Sequence, residues 1–270
     1  MDSPNILMIV LDSVRARNMS LHGYHHQTTP FLESFAQEAV WYQYAYAPST
    51  TSISSHTSIF TGLHEDEHRM YSTDDSIAKG ASFWSDLRDT HGYRTGLFTV
   101  NPQFYKPIGL RQGFDYQMLD AVDLPHPEAT DPLQFSTPEW FPLSDIYYQG
   151  GRSILTRTPI RTVRNGIARY RSSSQAVSKH LLRSFLDWSA SIQEGWAAFI
   201  NLMDAHCPYT PKAEYNRWAD DKLISIQQDT GGGHFLATID SLKQGVWWHP
   251  SAFEHLYNGG IYQSDNMVQY

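Results

Sequence analysis

The 270-residue sequence has a single cysteine, Cys207, so no disulfide can close within the chain, and a reducing compartment suits it. Long hydrophobic runs are missing too. The longest near the start, Ile6 to Leu11, is too short to span a bilayer or to form a signal-peptide core. There is no basic excess: 20 Lys and Arg against 28 Asp and Glu leave a net charge of −8, which argues against a surface built to grip nucleic acid. Gly231-Gly232-Gly233-His234 lacks the Lys-Ser/Thr of a phosphate-binding loop and reads as a turn. No internal repeat is found. What is present is a globule's composition, 41% hydrophobic and 14% aromatic, which excludes wholesale disorder. The length suffices for one large α/β domain over residues 1–270, and the expectation is a soluble, cytoplasmic protein with no membrane span.

Ile6 to Leu11 runs apolar without alternation, as in a strand buried on both faces of a parallel sheet. Asp12 follows at its carboxyl end. That is where α/β sheets place ligands, and it is equally a position to cap a helix beginning at Val14. Thr29-Pro30 opens a helix with Phe31, Phe35 and Val40 on its apolar face, and Trp41 to Ala47 has strand character. This alternation predicts a mainly parallel sheet sandwiched by helices. Tyr93 to Val100 and Gly195 to Met203 read as further buried strands, and Phe83 to Thr90 and Ser174 to Ile192 as helices. Residues 118–172, rich in Pro and aromatics, read as an insertion. From Arg152 to Arg183 every charged side chain is basic, which suits either a solvated helix surface or an anionic ligand.

The most informative stretch is Ser49 to Gly62. Six of the seven residues from Ser49 to Ser55 carry hydroxyls, and they lead into an apolar helix stopped by Gly62. A helix start offers N–H groups and partial positive charge, which favour an anion and ease deprotonation of a nearby hydroxyl. His56 would sit one turn along. The same composition also describes a loop that caps an ordinary helix.

Asp12, Thr29-Pro30-Phe31-Leu32, Ala45-Tyr46-Ala47-Pro48 and Ser55-His56-x-Ser58-Ile59-Phe60-Thr61-Gly62-Leu63 resemble the N-terminal part of the sulfatase family, in the alkaline-phosphatase superfamily. Gly109-Leu110-Arg111-Gln112-Gly113-Phe114-Asp115, then Met203 to Pro211, then Leu256 to Asp265 continue the resemblance in order. It implies an alkaline-phosphatase-like α/β fold. Counting ten residues back from Gly62, the resemblance places the nucleophile at Ser52. The family's cysteine or serine there is converted to formylglycine, but Ser54 and His56 stand where its usual signature has Pro or Ala and Arg. That departure points to an unmodified Ser52 or to no nucleophile. Asp12 matches the first metal acid, with Ser13 where many relatives carry a second Asp, and oxygen ligands of this kind suit Ca²⁺, Mg²⁺ or Mn²⁺. His206 matches a substrate-contacting histidine, and is otherwise a polar residue opening a Pro-Tyr turn. Asn101 stands where relatives bring a lysine or asparagine into the pocket.

The resemblance also implies a downstream Asp-His ligand pair and a substrate lysine, and the chain has no Asp-His pair. His64 and His68, around three acids, read as a solvated segment. Three functions remain: a sulfatase-like hydrolase of small-molecule or glycan sulfate or phosphate esters; a truncated or degenerate anion binder; and a relative of phosphoglycerol or phosphoethanolamine transferases. A truncated sheet is expected to associate with a complementary C-terminal segment.

Overall fold

The computed structural model describes residues 4–72, 74–119, 177–207, 209–220, 223 and 250–270. Most of the expected insertion, the arginines from Arg152 to Arg171 and the turn at 231–234 lie outside them. Four strands form one sheet: β1 Ile6–Leu11, β2 Arg94–Thr99, β3 Tyr116–Met118 and β4 Trp196–Leu202, in the order β1-β4-β2-β3. Neighbours distant in sequence require crossover connections, and β2 and β3 are parallel, with Gly96 beside Tyr116 and Phe98 beside Met118. The architecture is a parallel sheet with flanking helices.

Burial along the strands corrects one expectation. β4 and β2, in the middle of the sheet, are buried along nearly their whole length. β1 lies at an edge of the described sheet and keeps partial exposure throughout, with Leu7 43% exposed. An apolar run identifies a strand, but its place in the sheet decides how many faces are covered.

The helices are α1 Pro30–Phe35, α2 Ser52–Thr61, α3 Glu65–His68, α4 Phe83–Asp89, α5 over 177–191, and α6 Pro250–Val268. Of α5's expected apolar face, Val177, Leu181, Leu182 and Phe185 are buried. Two other expectations are overturned. No helix starts at Val14; short 3₁₀ turns follow instead, at Ala16–Asn18 and Ser20–His22. No strand forms over 41–47, and Val40, Tyr42, Tyr44 and Tyr46 are at least three-quarters exposed. Aromatic strand propensity measures fit to a pleated, half-buried surface, and these residues have no ladder partner among the described residues. No helix of the described residues is long and apolar enough to cross a membrane.

The described chain divides into two compact units. One comprises 4–8, 45–72, 74–119 and 180–200, the other 9–44, 177–179, 201–207, 209–220, 223 and 250–270. In the first, Phe60 is fully buried among Trp84, Phe104, Phe114 and Phe199, the Phe60 and Phe199 rings meeting edge to face at 4.9 Å. Gly113 makes that packing possible, because a Cβ there would lie 2.6 Å from the Ser85 amide nitrogen and 2.7 Å from Trp84 Cβ. In the second unit Thr29, at the N-cap of α1, makes no side-chain cap bond. Asp265 of α6 caps the helix instead, its carboxylate accepting from Phe31 N at 2.8 Å and Leu32 N at 2.9 Å. Phe60→Ala should cost about 3–5 kcal/mol by urea unfolding. Tyr46→Ser, on the exposed stretch, should change stability by less than about 0.5 kcal/mol.

Candidate active site

The six residues singled out by sequence divide between the units, Ser52, His56 and Asn101 in the first and Asp12, Ser13 and His206 in the second. Ser52 is the first residue of α2. Thr51 caps the helix by accepting from Ser54 N, and Gly62 closes it at φ 72°, a left-handed conformation that suits glycine. Most hydroxyls of this stretch are committed to holding it. Ser54 Oγ donates to Met70 O at 2.5 Å, Ser55 Oγ to Ser49 O at 3.0 Å, Thr57 Oγ1 to Ile53 O at 2.8 Å, and Ser49 Oγ to Glu65 Oε1 at 3.1 Å. Ser52 Oγ makes no hydrogen bond among the described residues. Thr50 is also uncommitted, but it is exposed and precedes the helix. Ser52 therefore combines a half-buried, uncommitted hydroxyl with the N-terminus of a ten-residue helix.

His56 is 3% exposed, enclosed by the rings of Phe60, Phe104 and Phe199. Its Nδ1 donates to the Ser52 carbonyl at 2.7 Å, so it acts on the backbone of the helix's first residue. Asn101, also buried, accepts from Gln103 N at 3.0 Å and caps the 3₁₀ turn Pro102–Tyr105. The segment read as solvated, His64 to His68, keeps His64, Asp66 and Glu67 exposed, while Glu65 and His68 are half-buried. His68 Nε2 meets Ser58 Oγ at 2.8 Å and its Nδ1 accepts from Met70 N at 3.0 Å, tying α3 to α2.

In the second unit the chain leaves β1 through Asp12, which is 8% exposed. Its carboxylate accepts from Ser13 Oγ at 3.0 Å and from Asn201 Nδ2 at 3.4 Å. Ser13 adopts φ 63°, which turns its hydroxyl back onto the acid. Tyr257 of α6 fixes this turn from outside: its hydroxyl donates to Ser13 O at 2.7 Å and accepts from Arg15 N at 2.9 Å. Burial pushes the Tyr257 phenol up to about 12, so it remains a donor at neutral pH.

β4 ends two residues before Asp204, and His206 follows. His206 Nδ1 donates to the Cys207 carbonyl at 2.6 Å. Burial alone would lower its pKa, but Cys207, by hydrogen bond and charge, and the Asp12 carboxylate outweigh burial and raise it to about 9. The ring is then cationic at neutral pH. Asp204 is buried, accepting from Ser178 Oγ at 2.7 Å and Gln263 Nε2 at 2.5 Å. Burial raises its pKa while those two donors oppose the rise.

The family model for sulfatases matches residues 4–268. The chain belongs to the sulfatase family. No curated protein sequence matches this sulfatase-family chain. Among solved structures it is similar to the phosphonate monoester hydrolase of Agrobacterium radiobacter, with TM-score 0.61 and 18% identity, covering 99% of this chain and 58% of that one. It is similar to the periplasmic domain of a phosphoethanolamine transferase from Escherichia coli, solved as a complex with Zn, with TM-score 0.51, 14% identity and coverage of 99% and 58%. An alkaline-phosphatase-superfamily protein from Vibrio parahaemolyticus gives TM-score 0.54 at 12% identity, covering 100% of this chain and 50% of that one. The sulfatase-family chain thus spans less than two thirds of each neighbour's length.

Sequence reasoning passed over Asn201, Asp204, Tyr257 and Gln263. Asn201 carried a signal, a lone amide in the apolar strand Ala-Ala-Phe-Ile-Asn-Leu. Asp204 sat beside a residue already singled out. The histidine gives the pH prediction. Its folded pKa is raised, so its contribution to stability is complete below about 6.5 and is lost as pH rises through about 9. His206→Gln should flatten the alkaline side of the stability profile, measured as urea midpoints from pH 6 to 10. A wild-type His206 resonance titrating near 6.5 would contradict this.

Proposed function

We propose that the chain is a hydrolase of sulfate or phosphate esters in which Ser52 is an unmodified nucleophile. The observation that carries this reading is the uncommitted Ser52 hydroxyl at the start of α2, in a stretch where most other hydroxyls are bound. Its α2 N-terminus favours an anionic ester group, and the resemblance gives His206 an anion-contacting role, which a ring cationic at neutral pH suits. Ser52 Oγ forms a bond to the sulfur or phosphorus as the bond to the alcohol oxygen breaks. The serine proton is transferred in the same exchange, and the alcohol leaves protonated. Water then cleaves the Ser52 ester, releasing sulfate or phosphate and restoring the hydroxyl.

A divalent cation, implied by the family, would draw on Asp12 and Ser13 in the second unit, and the resemblance counts Ser52 among its ligands; oxygen donors of this kind suit Ca²⁺, Mg²⁺ or Mn²⁺. Among the described residues no group of three or more His, Cys, Asp or Glu could hold a metal ion. These donors do not make a complete cage, and the steps above run through the chain's own groups. A second reading, carried over from the sequence, is an anion-binding member without turnover. A transferase reading is supported by the phosphoethanolamine transferase neighbour; it would pass the group from Ser52 to an alcohol instead of water.

The test is turnover of aryl sulfate and aryl phosphate esters with Mg²⁺, Ca²⁺ or Mn²⁺ added. Ser52→Ala should reduce turnover by about a thousandfold or more, with circular dichroism unchanged. Turnover that survives Ser52→Ala removes the nucleophile from the mechanism. No turnover in wild type, with inorganic phosphate still bound, supports the silent anion binder. Product carried on added glycerol identifies a transferase.

A further inference from the structure

The loop from Asp204 to Lys212 carries His206, and both of its ends meet one side chain of α6. Gln263 Nε2 donates to Asp204 Oδ1 at 2.5 Å, and Gln263 Oε1 accepts from Lys212 N at 3.0 Å. These two bonds fix the orientation of the amide, since only its nitrogen can serve the carboxylate and only its oxygen the backbone N–H. Asp204 Oδ2 is held by Ser178 Oγ at 2.7 Å. Gln263 is 1% exposed and Asp204 7%, so neither bond is replaced cheaply by water.

The rest of α6 is shaped to the same loop. At Gly260 a Cβ would lie 2.6 Å from Asp204 O and 3.1 Å from Ala205 Cα, and at Gly259 one would lie 2.8 Å from Pro211 Cγ. Close approach, not backbone freedom, demands these glycines. Tyr257 and Ile261 form a buried cluster with Ala205, and the Tyr209 and Tyr257 rings meet at 5.4 Å. The loop is seated at its start, middle and end on one helix face.

We infer that Gln263 is a positioning residue for the anion contact: by tying Asp204 to Lys212 it fixes the loop that presents His206. This deepens the ester-hydrolase reading and rests on it for the role of His206. Gln263 itself touches no reacting atom.

The experiment measures inorganic phosphate binding by calorimetry at pH 7, alongside the His206 imidazole resonance. Gln263→Met keeps the volume and removes both bonds, and should weaken phosphate binding about tenfold. The double variant Asp204→Asn with Gln263→Glu reverses the polarity. The amide introduced at position 204 would donate to the carboxylate introduced at position 263. That carboxylate would still accept from Lys212 N, and Ser178 would still donate to position 204. The double variant should recover affinity to within about threefold of wild type. Met267→Ala, buried one turn further along α6 and taking no part in either bond, should lower the melting temperature and leave affinity unchanged. Unchanged affinity in Gln263→Met, or an equal loss in Met267→Ala, overturns the inference. If wild type binds no phosphate, or His206→Gln binds as well as wild type, the anion-contact reading fails instead. The resonance then decides: a shifted or split His206 signal in Gln263→Met upholds the positioning role, and an unchanged one overturns it.

Discussion

The second unit depends on one constraint: polar side chains on a buried helix must find partners, because unpaired polar groups cost several times what a paired one contributes. In α6 Asn258, Gln263, Ser264 and Asp265 are all essentially excluded from solvent. Asn258 meets Asn18 and Tyr24, Gln263 meets Asp204 and Lys212, and Asp265 supplies the cap that α1 lacks. A helix whose polar residues would suit a surface instead organises three separate chain segments around itself. Apolar packing alone would hold the helix; the polar pairs specify its register.

The first unit rests on different physics. Its centre is a cluster of aromatic rings with His56 set among three of them. A polar ring in such surroundings contributes rigidity through its bond to the Ser52 carbonyl. The hydroxyls of the following turns add short local bonds, so the helix start is held from several sides.

Much of this was legible in the sequence. The apolar runs marked β1, β2 and β4, Gly62 marked a helix end, and the ordered motifs indicated the family. Strand character misled at 41–47, where aromatic residues imitate a strand but no partner strand pairs with them among the described residues. It misled again at β1, whose composition could not reveal that it borders the described sheet. The site's supporting partners were hidden for a different reason. Gln263 and Tyr257 lie far along the chain from the loops they hold, and no local pattern encodes a bond over that separation.

The left-handed backbone at Ser13 has a consequence for the family. Bulky or β-branched side chains are strained there, whereas glycine, asparagine and aspartate adopt that conformation readily. The resemblance places a second aspartate at this position in many relatives. Such a residue could enter here without moving the main chain. One carboxylate or two at the end of β1 is therefore a matter of side-chain identity alone, and members of either kind can share an identical turn.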